Sequence, residues 1–302
     1  MKIAVTGASG FIGGAVANAL VERGHTVTGF ARRPDGWRHL RGRFEQWDIT
    51  RGIRTGDYDA VVHSAALADD WAPRGEAMLV NQLGTRHVVD SFPGARIVHL
   101  STSSVYDAFG PTVRGTEDAA PVDRFLSVYS ESKTAAELEL AGADAVILRP
   151  HAVYGPGDTT LLPRILAGIR GSRLVLPEGA RVRHTLTHID NLIDAVDLSL
   201  TGPAGVYNIG DDTSVLLSAV LTEFLSRRGR ADATIRSIPY AVASAAAAAL
   251  ESLHRATGRG RPRITRYAVS QLGLERTLDL TAARERLGYT PRPTSLHGAE
   301  TW

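Results

Sequence analysis

The sequence predicts an α/β protein with a parallel, doubly wound sheet and a smaller C-terminal lobe. Short β-branched runs alternate with helical stretches over the first half of the chain, which is typical of βαβ units. After Gly157 the alternation loosens into helical segments separated by proline and glycine. A chain of 302 residues is long enough for one large domain that carries a small lobe.

Seven short runs are expected to form the sheet, in the order KIAVT, TVTGF, RFEQW, DAVVH, ARIVHL, DAVILR and VYNIG. Such runs are apolar on both faces, as in a sheet that helices cover on both sides. Three helices are expected in the lobe, at residues 161–170, 218–227 and 242–256. The lobe should fold back on the carboxyl ends of the strands, where open α/β sheets bind ligands.

The composition excludes several classes of protein. Hydrophobic residues make up 43% of the chain and the formal net charge is only +2, so disorder is not expected. The 34 basic residues barely outnumber the 32 acidic ones and are scattered, which argues against a nucleic-acid partner. Cysteine is absent and the histidines have no metal-ligand spacing, so we expect no metal. The first strand starts at Lys2, with no signal peptide before it, and the longest apolar run, residues 240–250, is too short to span a membrane, so we expect a soluble, cytoplasmic protein.

The first strand runs into TGASGFIGGAVANAL, where Gly7, Gly10 and Gly13 form a GxxGxxG turn ahead of a helix. Such a turn lets the backbone approach a pyrophosphate, and the helix N-terminus, here Phe11 and Ile12, offers amide donors to it. The alternative is a merely tight turn. Because a strand precedes the motif and a helix follows it, the pattern predicts a dinucleotide-binding Rossmann domain.

The end of the second strand, GHTVTGFARRP, indicates the type of dinucleotide. NAD-binding proteins usually place an acidic residue here to hold the ribose hydroxyls, whereas this chain has Ala31, Arg32 and Arg33. Each charge-assisted bond from arginine to a 2′-phosphate contributes about 1.5 to 3 kcal/mol, which is about a tenfold to hundredfold preference. We expect NADP(H) to be preferred, with NAD(H) left open, and Asp48 to lie near the adenine. The alternative is that both arginines are ordinary surface residues.

Several segments together resemble the extended short-chain dehydrogenase/reductase superfamily: TGASGFIG, HSAA, STSSVY, YSESK and RPHAVYGPGD, in the family's order and over nearly the whole chain. The resemblance implies that Tyr129 and Lys133 are the catalytic YxxxK pair and that both contact the cofactor, with Lys133 on the nicotinamide ribose. It implies further cofactor contacts at Ile49, Ser64, Ala65, Ala66, Pro150 and Val153. We predict an NADP-binding domain of residues 1–158 and 181–210, and a substrate-binding lobe of residues 159–180 and 211–302.

The YxxxK spacing has a physical rationale of its own. Residues four apart lie on one face of a helix, so the ammonium of Lys133 can approach the phenol of Tyr129. A nearby positive charge favours the phenolate, and we therefore expect it to lower the pKa of Tyr129. Lysine is rare in this chain, which otherwise uses arginine, and a guanidinium is too bulky to replace a compact ammonium. The alternative is an exposed helix pair without function.

The third catalytic position lies in STSSVY. In the family, a Ser or Thr four residues before the tyrosine of this motif bonds the reacting oxygen, and counting back from Tyr106 gives Thr102. Ser101, Ser103 and Ser104 leave this assignment open by one position, and a hydroxyl here can also bond local backbone. Related dehydratases place two acidic residues directly after this position. Serines stand there in this chain, so dehydration is not expected.

Other segments resemble the 3β-hydroxysteroid dehydrogenase-like branch, in particular bacterial 2-alkyl-3-oxoalkanoate reductases and sterol carboxylate dehydrogenases. These segments are AALADDWAP, FLSVYSESKTAAE, LRPHAVYGPGDTTLLPRIL, ITRYAV and LDLTAARERLGYTPR. Nucleotide-sugar relatives usually have an arginine for the diphosphate, and alignment on Asp190 and Asn191 puts His184 there. Arg183 is one residue earlier, on the other face of a strand. The alanine-rich helix at residues 242–256 leaves room for an apolar ligand, or packs in the ordinary way.

The expected activity is an NADP(H)-dependent interconversion of a ketone and a secondary alcohol, on a largely apolar substrate such as a β-keto acid or a steroid-like ketone. Thr102 would orient the ketone oxygen and Tyr129 would protonate it, while Lys133 fixes both the tyrosine and the ribose. One alternative is a nucleotide-sugar epimerase or 4-ketoreductase, which would use the same three residues. Another is an NADP-sensing protein without activity. The resemblance also implies a homodimer formed through the helix that bears YxxxK.

Overall fold

The computed structural model describes residues 1–34, 36–258 and 260–302. In chain order, the strands within these ranges are β1 (Lys2–Thr6), β2 (Thr26–Ala31), β3 (Arg43–Gln46), β4 (Ala60–His63), β5 (Arg96–Leu100), β6 (Thr112–Gly115), β7 (Ala145–Pro150), β8 (Val153–Tyr154), β9 (Arg173–Pro177), β10 (Arg183–His184), β11 (Thr187–His188), β12 (Gly205–Ile209), β13 (Val215–Leu216), β14 (Thr234–Ile238) and β15 (Arg276–Leu278).

The α-helices of the same ranges are α1 (Phe11–Glu22), α2 (Arg74–Ala77), α3 (Gly84–Ser91), α4 (Val128–Leu138), α5 (Leu161–Ala167), α6 (Ile189–Ser199), α7 (Leu217–Arg227), α8 (Tyr240–Thr257), α9 (Arg266–Gly273) and α10 (Thr281–Leu287). A π-helical segment, Met78–Leu83, joins α2 to α3, so that residues 74–91 form one continuous helix. Short 3₁₀ turns occur at Ile49–Arg51, Ser103–Val105, Glu117–Ala119 and Glu178–Ala180.

The central sheet has seven parallel strands in the order β12-β7-β5-β4-β1-β2-β3. All seven lie at the apolar runs predicted from the sequence, so the predicted α/β architecture is confirmed. The chain starts in the middle of the sheet, at β1, and builds outward in both directions. Thr6 at the end of β1 pairs with Phe30 on one side and with His63 on the other. The carboxyl ends of the central strands therefore meet at one edge.

Helices cover both faces of this sheet because its strands are apolar on both. In β1, Ile3 and Val5 contribute to a core shared with α1 and α6, whereas Ala4, between them, faces a core shared with α3. This alternation is the period of two expected of a strand. The packing fixes α1 against the sheet, and with it the loop that precedes α1 at the carboxyl edge.

The C-terminal lobe has its own core, built from α5, β9, α7 and the last residues of the chain. Its main sheet has four strands in the order β13-β10-β15-β6, and β9 pairs with β14 beside it. Two of these strands, β6 and β10, fall within the ranges predicted for the nucleotide-binding domain. The chain thus passes between the central sheet and the C-terminal lobe more often than the sequence pattern indicates. The predicted domain limits stay a prediction.

The three helices predicted for the lobe are confirmed as α5, α7 and α8. In α8 only Ala243, Ala247 and Glu251 are buried, and the first two pack with Val269 of α9. Most of its small side chains face outward. The idea that this helix makes room for an apolar ligand therefore gains no support, and ordinary packing of its buried face accounts for it.

Candidate active site

The turn between β1 and α1 has the shape that a pyrophosphate requires. Gly7 has a φ of +72°, and a Cβ there would lie 2.7 Å from the amide nitrogen of Ala65. A Cβ on Gly13 would lie 2.3 Å from the carbonyl oxygen of Gly7, so only glycine lets α1 approach the turn this closely. Gly10 precedes α1 without a side-chain cap, which leaves the amides at Phe11 and beyond without a side-chain acceptor. These residues fit a dinucleotide phosphate.

Two further segments predicted to hold the cofactor lie beside this turn. The amide of Ser64 donates to the Thr6 carbonyl over 3.3 Å, and the amide of Ala65 donates to the Thr6 hydroxyl over 3.3 Å, which places Ser64, Ala65 and Ala66 next to Gly7. Pro150 ends β7 and is buried, while Val153 opens β8 and is partly exposed. Both lie at the carboxyl end of β7, which is two strands along the sheet from β4.

Arg32 and Arg33 follow β2 at the same edge, and both are exposed. Within the described ranges of the chain, neither guanidinium forms a salt bridge. Burial raises the pKa of Asp48. Hydrogen bonds from Thr50 and the charge of Arg32 lower it by more, so the pKa of Asp48 is below its usual value. Arg32 therefore faces Asp48, at the end of the sheet where the adenosine was expected. Ile49, next in the chain, is buried.

The structure brings Thr102 and Tyr129 together. Thr102 follows β5, Tyr129 lies in the first turn of α4, and the Thr102 side chain lies beside the phenol, while its hydroxyl donates to Oγ of Ser104 over 3.0 Å. The three serines around Thr102 have other partners: Ser101 bonds Glu137, Ser103 bonds His151, and Ser104 bonds Tyr267. Among these four hydroxyls, that of Thr102 lies beside Tyr129, and its catalytic role stays a prediction. Its hydroxyl also accepts the amide of Ser104 over 3.1 Å, so the local backbone role considered for it is present as well.

Lys133 is one helical turn beyond Tyr129 and is only 1% exposed. Its Nζ donates to the Leu100 carbonyl over 2.8 Å and lies 3.0 Å from Nε2 of His99. Burial lowers the pKa of Lys133 to about 8, against an opposing effect of the Glu137 charge. Burial also raises the pKa of Tyr129 to about 12. The expected lowering of the Tyr129 pKa by Lys133 is therefore wrong for this structure, because desolvation outweighs a lysine whose ammonium is bonded elsewhere.

Glu137 is a residue that the sequence reasoning missed. It forms a two-point ion pair with Arg149 at 2.6 and 3.0 Å, and both side chains are largely buried. It also accepts a hydrogen bond from Ser101, in the segment that carries Thr102. The signal was present in the sequence, since Tyr129, Lys133 and Glu137 repeat at intervals of four along α4. Glu137 is therefore a positioning residue for the segments on either side of it.

Asn81, in the π-helical segment, was also missed. Its side chain accepts the amide of Leu67 over 2.7 Å and donates to the Leu67 carbonyl and to the Ser132 hydroxyl. It thus ties the loop after β4 to α4. A π-helical turn frequently marks a functional site, but a pattern of apolar residues does not distinguish it from an ordinary helix.

The comparisons with known proteins agree with this geometry. The model of the NAD dependent epimerase/dehydratase family matches residues 3–210. The chain belongs to this family. A ketoreductase of Stigmatella aurantiaca, which acts on 4-hydroxy-2-methyl-3-oxo-4-farnesyl-3,4-dihydroquinoline-1-oxide, is 32% identical, and the match covers 99% of this chain and 95% of the relative. A 2-alkyl-3-oxoalkanoate reductase of Shewanella oneidensis is 30% identical over 95% of this chain and 81% of the relative.

Solved structures of the epimerase/dehydratase family have the same fold. The structure of MoeE5 in complex with UDP-glucose and NAD superposes with a TM-score of 0.71 at 25% identity, covering 100% of this chain and 97% of that chain. The suspected extended short-chain dehydrogenase/reductase branch is confirmed. This protein is an NAD(P)-dependent oxidoreductase of that group, and its relatives include enzymes that act on ketones and alcohols.

Two further observations concern membrane-spanning helices and metal-binding clusters. Among the described residues, no helix combines the length and the apolar character needed to cross a membrane. In the same part of the chain, no group of three or more histidine, cysteine, aspartate or glutamate side chains is arranged so that it could hold a metal ion.

Proposed function

We propose that this protein interconverts a ketone and a secondary alcohol on a largely apolar substrate, with NADP(H) as its preferred cofactor. The observation that carries the proposal is that Thr102 and Tyr129 lie side by side at the edge of the sheet that also holds the glycine turn. A nicotinamide cofactor bound there supplies hydride transfer to or from a carbonyl carbon. All other steps fall to side chains of this chain.

Tyr129 is the proton donor for reduction. Its raised pKa keeps the phenol protonated at neutral pH, and it can protonate the oxygen as negative charge develops there. Thr102 is placed to hydrogen-bond the same oxygen and to orient it. Lys133 is anchored by the Leu100 carbonyl and His99, which holds its ammonium on the cofactor side of α4 in this proposal. In oxidation, Tyr129 accepts the proton of the alcohol.

The preference for NADP(H) rests on Arg32 and Arg33. In the described part of the chain both guanidinium groups are exposed and without a salt bridge, so their donors are available to a 2′-phosphate. An Arg32→Asp variant should weaken NADPH binding at least about tenfold and leave NADH binding within about threefold. Titrations with both cofactors measure this, and Arg173→Asp, on an exposed strand residue of the lobe, is the matched control. Equal binding of both cofactors by the wild type would refute the preference.

The apolar substrate is supported by the relatives. The name of the Stigmatella aurantiaca enzyme describes a ketone that carries a farnesyl chain, and the Shewanella oneidensis enzyme is named for 2-alkyl-3-oxoalkanoates. A nucleotide sugar is less well supported. The position at which its diphosphate would meet an arginine holds the buried His184, and Arg183 is turned outward and bonded to Ser214.

The catalytic assignment is tested with a panel of β-keto acids and steroid-like ketones. Tyr129→Phe should lower turnover at least about a hundredfold while NADPH still binds, because it removes only the hydroxyl. Near wild-type turnover by this variant would overturn the role of Tyr129. A tightly retained NAD, no net oxidation or reduction, and stabilisation by UDP- or dTDP-sugars would instead identify an epimerase. Cofactor binding without turnover of any ketone would identify a sensing protein.

We also propose a homodimer formed through α4 and the helix of residues 74–91. These packed helices carry exposed leucines at Leu79, Leu83 and Leu138, the last of them 64% exposed. Apolar side chains exposed on adjoining helices are typical of an interface. Sedimentation velocity should give the mass of a dimer for the wild type and of a monomer for Leu138→Glu. A monomeric wild type would refute this assembly.

A further inference from the structure

A chain of hydrogen bonds starts beside Thr102 and has no part in the mechanism above. The Ser103 hydroxyl lies 2.8 Å from Nδ1 of His151, and Nε2 of His151 lies 3.0 Å from Nδ1 of His184. Nε2 of His184 lies 3.2 Å from the carbonyl oxygen of Leu274. The chain therefore runs from the carboxyl edge of the central sheet into the C-terminal lobe.

The Leu274 carbonyl sets the direction of every bond in this chain. A carbonyl oxygen only accepts, so Nε2 of His184 carries a proton. Burial and the charge of Arg276 lower the pKa of His184 to about 4, so the ring is neutral and its Nδ1 is an acceptor. Burial, His184 and Arg276 also lower the pKa of His151 well below its usual value. His151 therefore donates from Nε2 and accepts at Nδ1, and Ser103 donates its only proton to it.

Ser103 is thereby left with an acceptor and no donor. A serine hydroxyl has one proton and two lone pairs, and the proton is used by His151. Ser103 is also partly exposed, whereas Ser101, Thr102, Ser104 and Val105 are buried. It follows Thr102 directly in the chain, and Thr102 lies beside Tyr129. An accessible acceptor thus lies one residue from the groups that are placed around the reacting oxygen.

We propose that Ser103 accepts a hydrogen bond from a hydroxyl group on the carbon next to the reacting carbonyl, so that the preferred substrates are α-hydroxy ketones. This inference rests on the proposed ketone reduction and narrows its substrate class. A ketone without the hydroxyl leaves the Ser103 acceptor unpaired. A ketone with an ether oxygen at that position would place one acceptor against another, the ether oxygen against the Ser103 oxygen. Ser103 cannot turn its proton toward the ether, because the neutral, buried histidines hold that proton. A site that binds a substrate hydroxyl in this way discriminates against analogues that lack it.

Three matched ketones test the inference with the wild type and NADPH. Benzoin carries the hydroxyl, deoxybenzoin lacks it, and benzoin methyl ether has an oxygen that only accepts. The wild type should favour benzoin about tenfold in kcat/KM over either of the others. Ser103→Ala should reduce this ratio to about twofold or less, since the acceptor is gone. Dissociation constants of the three ketones, measured in the presence of NADP⁺, should follow the same order in the wild type and converge in the variant.

Two more variants make the test specific. Ser252→Ala, on the exposed face of α8, should keep the wild-type ratios. His151→Phe removes the partner that holds the Ser103 proton, so the methyl ether should gain relative to benzoin, provided that the melting temperature shows a folded protein. Where that variant does not fold, the comparison of Ser103→Ala with Ser252→Ala decides.

The outcomes separate this inference from the proposed function. Wild-type kcat/KM values within about twofold for all three ketones would overturn the inference, as would a benzoin preference that persists in Ser103→Ala. Turnover of other ketones but of none of these three would also overturn it. If the wild type binds NADPH but reduces no ketone of any class, the proposed function itself fails.

Discussion

Replacing Lys133 with methionine should change how the stability of the protein depends on pH. The Lys133 ammonium is 1% exposed, and burial lowers its pKa from 10.5 to about 8. At about 1.4 kcal/mol per pKa unit, this difference corresponds to a cost of about 3 kcal/mol for keeping the lysine charged in the folded protein at pH 7. Methionine has a similar length and no charge, so the cost is absent in Lys133→Met.

The sign of the effect follows from proton binding. Between pH 8 and pH 10.5 the unfolded chain holds the Lys133 proton and the folded protein releases it, so the free energy of unfolding of the wild type rises with pH. From pH 7 to pH 9.5 this contribution is about 2 kcal/mol. The variant also leaves the Leu100 carbonyl and His99 without the ammonium, at about 1 to 3 kcal/mol. That loss lowers stability at every pH and leaves the pH dependence unchanged.

Urea unfolding followed by the fluorescence of the four tryptophans measures the effect. The free energy of unfolding of the wild type minus that of Lys133→Met should increase by about 2 kcal/mol between pH 7 and pH 9.5. Lys2→Met is the matched control, because Lys2 is exposed and should give no such trend. If the free energies of unfolding of the wild type and Lys133→Met changed in parallel with pH, the reasoning would be refuted. Such a result would mean that keeping Lys133 charged in the folded protein costs no free energy.

Three further expectations follow from the structure. Glu137→Gln leaves the buried guanidinium of Arg149 without its carboxylate, and it should lower the free energy of unfolding by about 3 to 5 kcal/mol. The control, Glu223→Gln at an exposed position, should lower it by about 1 kcal/mol or less. Equal losses in the two variants would contradict this expectation. Gly13→Ala, with its Cβ 2.3 Å from a carbonyl oxygen, should weaken NADPH binding at least about tenfold in a titration, whereas Gly75→Ala, which has open space, should not. Alcohol oxidation should accelerate from pH 7 to pH 10 more than ketone reduction does, because oxidation needs the phenolate of Tyr129 and its pKa is about 12; parallel initial-rate profiles would count against this role.

The parts of the fold that depend on local pattern could be predicted from the sequence. The seven strands of the central sheet were found because each is a short apolar run between helices, and the glycine turn was found because its strand and helix flank it. Thr102 was predicted because it lies four residues before Tyr106 in the STSSVY motif. In each case the deciding residues are close together in the chain, so spacing alone carries the information.

The parts that depend on distant contacts could not be predicted. His151 and His184 are 33 residues apart and meet only because the lobe folds back on the sheet. The strand pairing of β6 with β15 joins Thr112 to Arg276, far apart in the chain, which is why the predicted domain limits do not follow the sheets. No periodicity reports such a pairing. The sequence therefore gives no sign that these two histidines bond each other and that His151 bonds Ser103.

Desolvation is the effect that reversed the expectation for the catalytic pair. Spacing placed Tyr129 and Lys133 on one face of α4, but the pKa of each group depends on how much water reaches it. Burial raises the pKa of Tyr129 to about 12 and lowers that of Lys133 to about 8, so at neutral pH the phenol is neutral and the lysine is still mostly charged. A neutral phenol is ready to give a proton to a developing alkoxide, whereas it must lose one before it can accept a proton from an alcohol. The burial that raises the pKa of Tyr129 therefore keeps it in the form that the proposed donor role in reduction requires.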